Sequence, residues 1–186
     1  MAHSIDLPAN SIVGLTREGL VSLCSSLLKE IGPDAASHLL NAGYAGGATL
    51  FDAFTQWLLS RGYGAAEALP ALQFAERATM FFRELGWGSF DMGAVSESVA
   101  TIDSSDWAEA DPSIALEFPG CYLTTGLFAD FFGRLAGNPL AVMEVECRSM
   151  GAQRCRFLVA SAEVMQHVYE VMGTGVGYEV AVESVG

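Results

Sequence analysis

Three of the four cysteines in this chain fall within the stretch 121–157, close to two glutamates. Cys147 and Cys155 flank a short polar turn, Ser149-Met150-Gly151-Ala152-Gln153, at the ends of two β-prone runs, 140–145 and 154–159. A hairpin over that turn brings the two sulfurs together. Cys121 opens an amphipathic segment that returns to the hairpin through Gly137-Asn138-Pro139. With Glu144 and Glu146 just ahead of Cys147, three sulfurs and one carboxylate are available, a ligand set that suits a closed tetrahedral zinc. The competing reading is three small core hydrophobes, because free cysteine is among the most buried residue types. Cys-x7-Cys is also not a standard zinc spacing. A disulfide is a third reading, but nothing resembles a secretory signal, and an intracellular chain keeps its thiols reduced.

Charge and periodicity bear on the same cluster. Arg134, Arg148, Arg154 and Arg156 are four of only nine basic residues. Their guanidinium groups are placed to offset the net charge that three thiolates, a carboxylate and Zn²⁺ would leave, unless they simply lie on a solvated strand face. In an ideal strand Glu144 and Cys147 point to opposite faces, and so do Glu146 and Cys147. A bend or bulge must therefore re-aim one side chain, and periodicity leaves the choice of carboxylate open.

The pattern Cys121-x22-Glu144-x2-Cys147-x7-Cys155, with Gly126, Gly133, Met150-Gly151 and Phe157, resembles the 4-vinyl reductase-type domain family. The likeness is close over 119–159 and looser over the helices before it. That family includes a protein linked to bacteriochlorophyll synthesis and the sensor domains of phenol- and xylene-responsive transcription activators. The resemblance implies Cys121, Glu144, Cys147 and Cys155 as ligands of a structural Zn²⁺, and so selects Glu144 over Glu146. It also implies an α+β fold, an antiparallel sheet packed by helices with a zinc-bound C-terminal hairpin, usually as a homodimer. A mostly apolar pocket beside the hairpin is expected, with Gly46, Trp87, Phe90, Trp107, Phe118, Tyr122 and Phe128 as candidate lining. The histidine and tryptophan that read the phenol hydroxyl in the aromatic sensors have no secure counterparts here, which argues against phenol itself.

The elements that must position these residues are read next. Residues 1–10 form a loose N-terminal arm, followed by a short extended piece at 11–13. Thr16 is the N-cap of a helix whose apolar set is Leu20, Leu23, Cys24, Leu27 and Leu28. A long second helix spans 33–61, with Pro33 in its first turn. Its middle is built from small residues, 42–48, which lets another helix or a ligand approach the backbone closely. An enclosed apolar cavity is expected between them and residues 118–128. A third helix covers 69–85; strands follow at 88–95 and 98–102. Asp103, Asp106, Glu109 and Asp111 then form a solvated acidic loop without calcium-loop order. A fourth helix spans 120–136 and a fifth 162–172, and the tail, 178–185, adds an edge strand. Gly173-Thr174-Gly175-Val176-Gly177 follows a helix, so it is not a dinucleotide loop.

At 186 residues the chain reads as one domain, 1–186. Its net charge of −13 with no basic stripe argues against nucleic acid. No apolar run is long enough to span a bilayer, so a cytoplasmic protein is expected. His3, His38 and His167 share no ligand spacing, and no nucleophile elbow or phosphate loop is present. The leading expectation is a small-molecule-binding sensor or carrier for a hydrophobic or aromatic ligand, not an enzyme, passing its output to a signalling partner. The alternative is an accessory protein or reductase-like factor in tetrapyrrole synthesis with a pigment-synthesis partner, although no motif for a hydride donor is present. A dimerisation module is a third possibility, since related folds serve in vesicle-tethering assemblies.

Overall fold

A computed structural model of the chain describes residues 5–32 and 34–185. Residues 1–4 of the expected arm, with His3, and Pro33 lie outside the described residues. Residues 5–16 form a hydrogen-bonded turn instead of an extended piece at 11–13, the Ile12 N–H donating to the Leu7 carbonyl at 2.9 Å. Thr16 opens α1 (Arg17–Ile31), its hydroxyl accepting from the Gly19 N–H as the sequence predicts. Of the apolar set on this helix Cys24 is buried, whereas Leu23 is 52% exposed.

The long helix α2 (Asp34–Ser60) and α4 (Tyr122–Ala136) pack backbone to backbone. A Cβ on Gly43 would overlap the Leu123 carbonyl oxygen, and one on Gly126 would overlap the Leu40 carbonyl oxygen. Gly47, by contrast, leaves room for the Asp130 side chain. The expected cavity along this seam is therefore closed by the helices themselves. Only glycine lets two main chains approach so nearly. Below them α3 (Ala71–Glu84) contributes Phe74, Phe81 and Phe82 to a core that also holds Phe54, Phe128 and Phe131.

The sheet is antiparallel, ordered β1-β2-β4-β3, from β1 (Asp91–Ala94), β2 (Ala100–Ser104), β3 (Ala141–Glu146) and β4 (Cys155–Ala160). Alternation along β4 sends Cys155, Phe157 and Val159 to the large aromatic core, and Leu158 and Ala160 to a second, smaller core. That second core is closed by α5 (Ala162–Met172) and α6 (Tyr178–Glu183). The tail is thus a helix and not an edge strand. Tyr178, Ala181 and Val182 recur at helical spacing and bury against the sheet, which overrides the weak alternation of the sequence.

Asp103, Arg154, Arg156, Glu146 and Tyr178 form a network between β2, β4, the end of β3 and α6. Arg156 grips both oxygens of Asp103, at 2.7 and 2.6 Å. These arginines answer carboxylates and not the cysteines, as does Arg134, which pairs with Asp130. Asp103 consequently belongs to a strand and not to a solvated loop.

Candidate metal centre and the neighbouring cavity

Four donors converge where α4 meets the β3–β4 hairpin. Cys121 is the N-cap residue of α4, Glu144 lies on β3, Cys147 follows it, and Cys155 opens β4. The pairing shifts between Glu144 and Glu146, so that Glu144 faces Phe157 and Glu146 faces Arg156. Val145 is the extra residue of a bulge, and it resolves the face problem posed by the sequence. Glu144 and Cys147 now look the same way, while Glu146 joins the arginine network.

The Cys121 sulfur lies 4.0 Å from that of Cys147 and 3.9 Å from that of Cys155. One donor atom from each of the four residues lies within 4.8 Å of the others, and all four residues are buried. The cysteines are free thiols. Glu144 Oε2 accepts the Cys121 N–H at 2.8 Å, which fixes the carboxyl plane. Glu144 Oε1 is buried without a hydrogen-bond partner among the described residues. A buried, unpartnered carboxyl oxygen is costly unless something cationic meets it.

Electrostatics point the same way. Burial, aided by the nearby charge of Cys147, pushes the Glu144 carboxyl up to about 9. Hydrogen bonds from Cys121 and Cys155 hold the Cys147 thiol far below its usual value. Cys121, hydrogen-bonded to both other sulfurs and buried, is raised well above it. The cluster holds more acid than it can ionise alone, and these four donors are positioned to hold a metal ion.

Glu109 does not lie in the solvated loop that the sequence suggests; it is buried beside the start of α4. Its carboxylate accepts the Leu123 and Thr124 N–H groups at 3.0 and 2.8 Å and the Thr124 hydroxyl at 2.6 Å. Thr124 Oγ1 accepts in turn from the Trp107 indole N–H at 2.6 Å. Burial raises Glu109 to about 7 against these hydrogen bonds. Two carboxylates therefore satisfy the open N–H groups at the start of α4, since Cys121 offers no side-chain cap. No spacing rule in the sequence points to Glu109; the only hint is its setting among Trp107, Ala108 and Ala110, which are apolar for a loop.

The expected pocket residues separate into groups. Trp107, Phe90 and Phe128 are buried together, with ring centroids of Trp107 and Phe128 5.2 Å apart. Trp87 stacks on Trp107 at 5.6 Å and also lines a cavity of about 250 Å³. Tyr122 is half-buried at the start of α4. Phe118 is 70% exposed. Gly46 faces away from α4, with no atom within 4 Å of where its Cβ would sit. The cavity beside Trp87 is walled by Leu20, Leu50, Leu85 and Leu123 and covered by residues of the 5–16 turn.

Residues 109–161 match the model of the V-4-R (4-vinyl reductase) domain family. The matched stretch, less than half of the chain, contains Cys121, Glu144, Cys147 and Cys155, in keeping with the cysteine pattern. Among solved structures it is similar to the phenol-responsive sensory domain of the transcription activator PoxR with phenol, at 16% identity and a TM-score of 0.61, covering 82% of this chain and 77% of that one. It is similar to a trafficking protein particle complex subunit 3 from Naegleria fowleri covalently bound to palmitic acid, at 17% identity and a TM-score of 0.56, covering 77% and 93%. A vinyl-4-reductase family protein from Methanocaldococcus jannaschii aligns at 18% identity with a TM-score of 0.39, over 59% and 66% of the two chains. No curated protein matches the chain. The first two likenesses establish a shared fold. Among the described residues, no helix is long and apolar enough to cross a membrane.

Proposed function

We propose that this protein is a sensor or carrier that binds a hydrophobic small molecule and holds a structural zinc ion. The observation that carries the binding role is the cavity of about 250 Å³ walled by Leu20, Leu50, Leu85, Trp87 and Leu123. A cavity of about 150 Å³ holds benzene, so this one suits a substituted single ring or a short branched chain. A tetrapyrrole is several times larger than benzene, which disfavours the pigment-synthesis alternative at this site. The fold shared with a phenol-responsive sensory domain supports the sensing role.

Cys121, Glu144, Cys147 and Cys155 would hold the zinc. Two sulfurs on a tetrahedral zinc at 2.3 Å stand about 3.8 Å apart, close to the separations seen here. Four protein donors leave no open position, so the ion supplies structure and not chemistry. A homodimer in the cytoplasm, handing its signal to a partner protein, completes the reading. Native mass spectrometry of protein purified from its own host tests metal, ligand and stoichiometry together. One zinc per chain plus a small organic adduct is expected; protein with neither would overturn the proposal.

A further inference from the structure

The cavity beside Trp87 is lined mostly by apolar side chains, and Arg17 is the one charged residue among the described lining. Arg17 Nε donates to the Gly86 carbonyl at 3.1 Å, and Nη1 donates to the Asp106 carbonyl at 2.9 Å. Together the two bonds hold the exposed guanidinium in place at the cavity. Nη2 makes no hydrogen bond among the described residues. Arg61, Arg134, Arg154 and Arg156 each pair with a carboxylate, but no carboxylate among the described residues lies within ion-pair distance of Arg17. What sets Arg17 apart is its place: it is held by two neutral carbonyls and lines the apolar cavity. A guanidinium so held keeps its full charge and N–H donors for a planar anion.

We infer that the ligand is an apolar monocarboxylic acid, its hydrocarbon part among Leu20, Leu50, Leu85 and Trp87 and its carboxylate at the mouth on Arg17. This rests on the binding role proposed above and narrows its chemistry. An uncharged hydrocarbon would use the leucine walls but leave the arginine unanswered. A phosphate or dicarboxylate would bring charge that a single guanidinium cannot balance. The apolar body supplies affinity by burial, and the charged pair sets orientation.

The test uses para-ethylbenzoate and its neutral isostere para-ethylbenzamide, titrated into the full metal-loaded chain by calorimetry with tryptophan fluorescence as a second readout. The acid should bind about tenfold or more tightly than the amide, as a charge-assisted hydrogen bond allows. Arg17→Gln should erase that preference by weakening the acid far more than the amide, and Arg17→Lys should retain most of it. Leu20→Phe, which fills the cavity, should weaken both probes. Equal affinity for acid and amide, or a preference indifferent to Arg17→Gln, overturns the carboxylate inference and leaves the apolar cavity standing. No binding of either probe at millimolar concentration overturns both.

Discussion

Glu109 shows how much a single side chain can carry without a signature in the sequence. It reads as one acid among several in a polar stretch, and only the approach of α4 gives it a role. Its carboxyl sits near 7 in the fold against an ordinary value of 4.5, with burial the main cause. An acid whose folded value is raised holds its proton more firmly when folded. Its contribution to stability is therefore complete below about 4.5 and is lost as pH rises through about 7. Glu109→Gln keeps an acceptor for the α4 N–H groups and removes the titration. Urea unfolding of both proteins across this window should show the stability difference moving in favour of the variant as pH rises. A difference that stays flat with pH would mean that Glu109 is ionised without penalty. The three clustered cysteines, in contrast, are visible in one dimension, while the choice of Glu144 as fourth donor comes from the family resemblance and not from spacing.

Among the elements, α2 and α4 depend on glycines that face each other as well as on the apolar residues they bury in the core. The sequence displays the run of small residues but cannot say what fills the space beside them. Direct contact of the main chains is the answer, and it separates glycines that look alike in one dimension. Gly43→Ala or Gly126→Ala should cost about 3 kcal/mol or more, because the added methyl meets backbone that cannot step aside. Gly46→Ala should be neutral or stabilise by up to about 1 kcal/mol, through helix propensity alone. Thermal melts of the three variants check the contrast, and equal losses would contradict it. The C-terminal helix α6 escapes a sequence reading for a related reason. Its six residues are too few for periodicity to outweigh alternation, and its place is set by Tyr178 reaching Glu146 at 2.6 Å.

On the scale of the whole molecule, the four donors tie α4 to the hairpin that closes the sheet. Stripping the proposed zinc should loosen both, at a cost on the order of several kcal/mol, since metal affinity in such sites is largely folding free energy. Cys147→Ser and Glu144→Ala should reproduce much of that loss even with zinc in excess. Acid should release the ion, because the donors must be deprotonated to bind it. Chelator titrations followed by circular dichroism and metal analysis read these outcomes; a fold indifferent to chelation would contradict a structural role. Much of the architecture is readable from the chain: helices first, two short strands, and a hairpin after α4, although the edge strand expected at 178–185 is a helix. The charge network is not, since Arg154 and Arg156 find Asp103 across a strand pairing far apart in sequence.

The bulge at Val145 has a further consequence for chain length. A regular ladder would keep Glu144 and the cysteine at the end of β3 on one face with a single residue between them, and this chain has two. Shortening β3 by Val145 should therefore straighten the strand while leaving all four donors on the same face. Lengthening it by one residue needs a second irregularity or turns a donor away. Metal content after each change would tell them apart: deletion is the tolerated direction, insertion the destructive one.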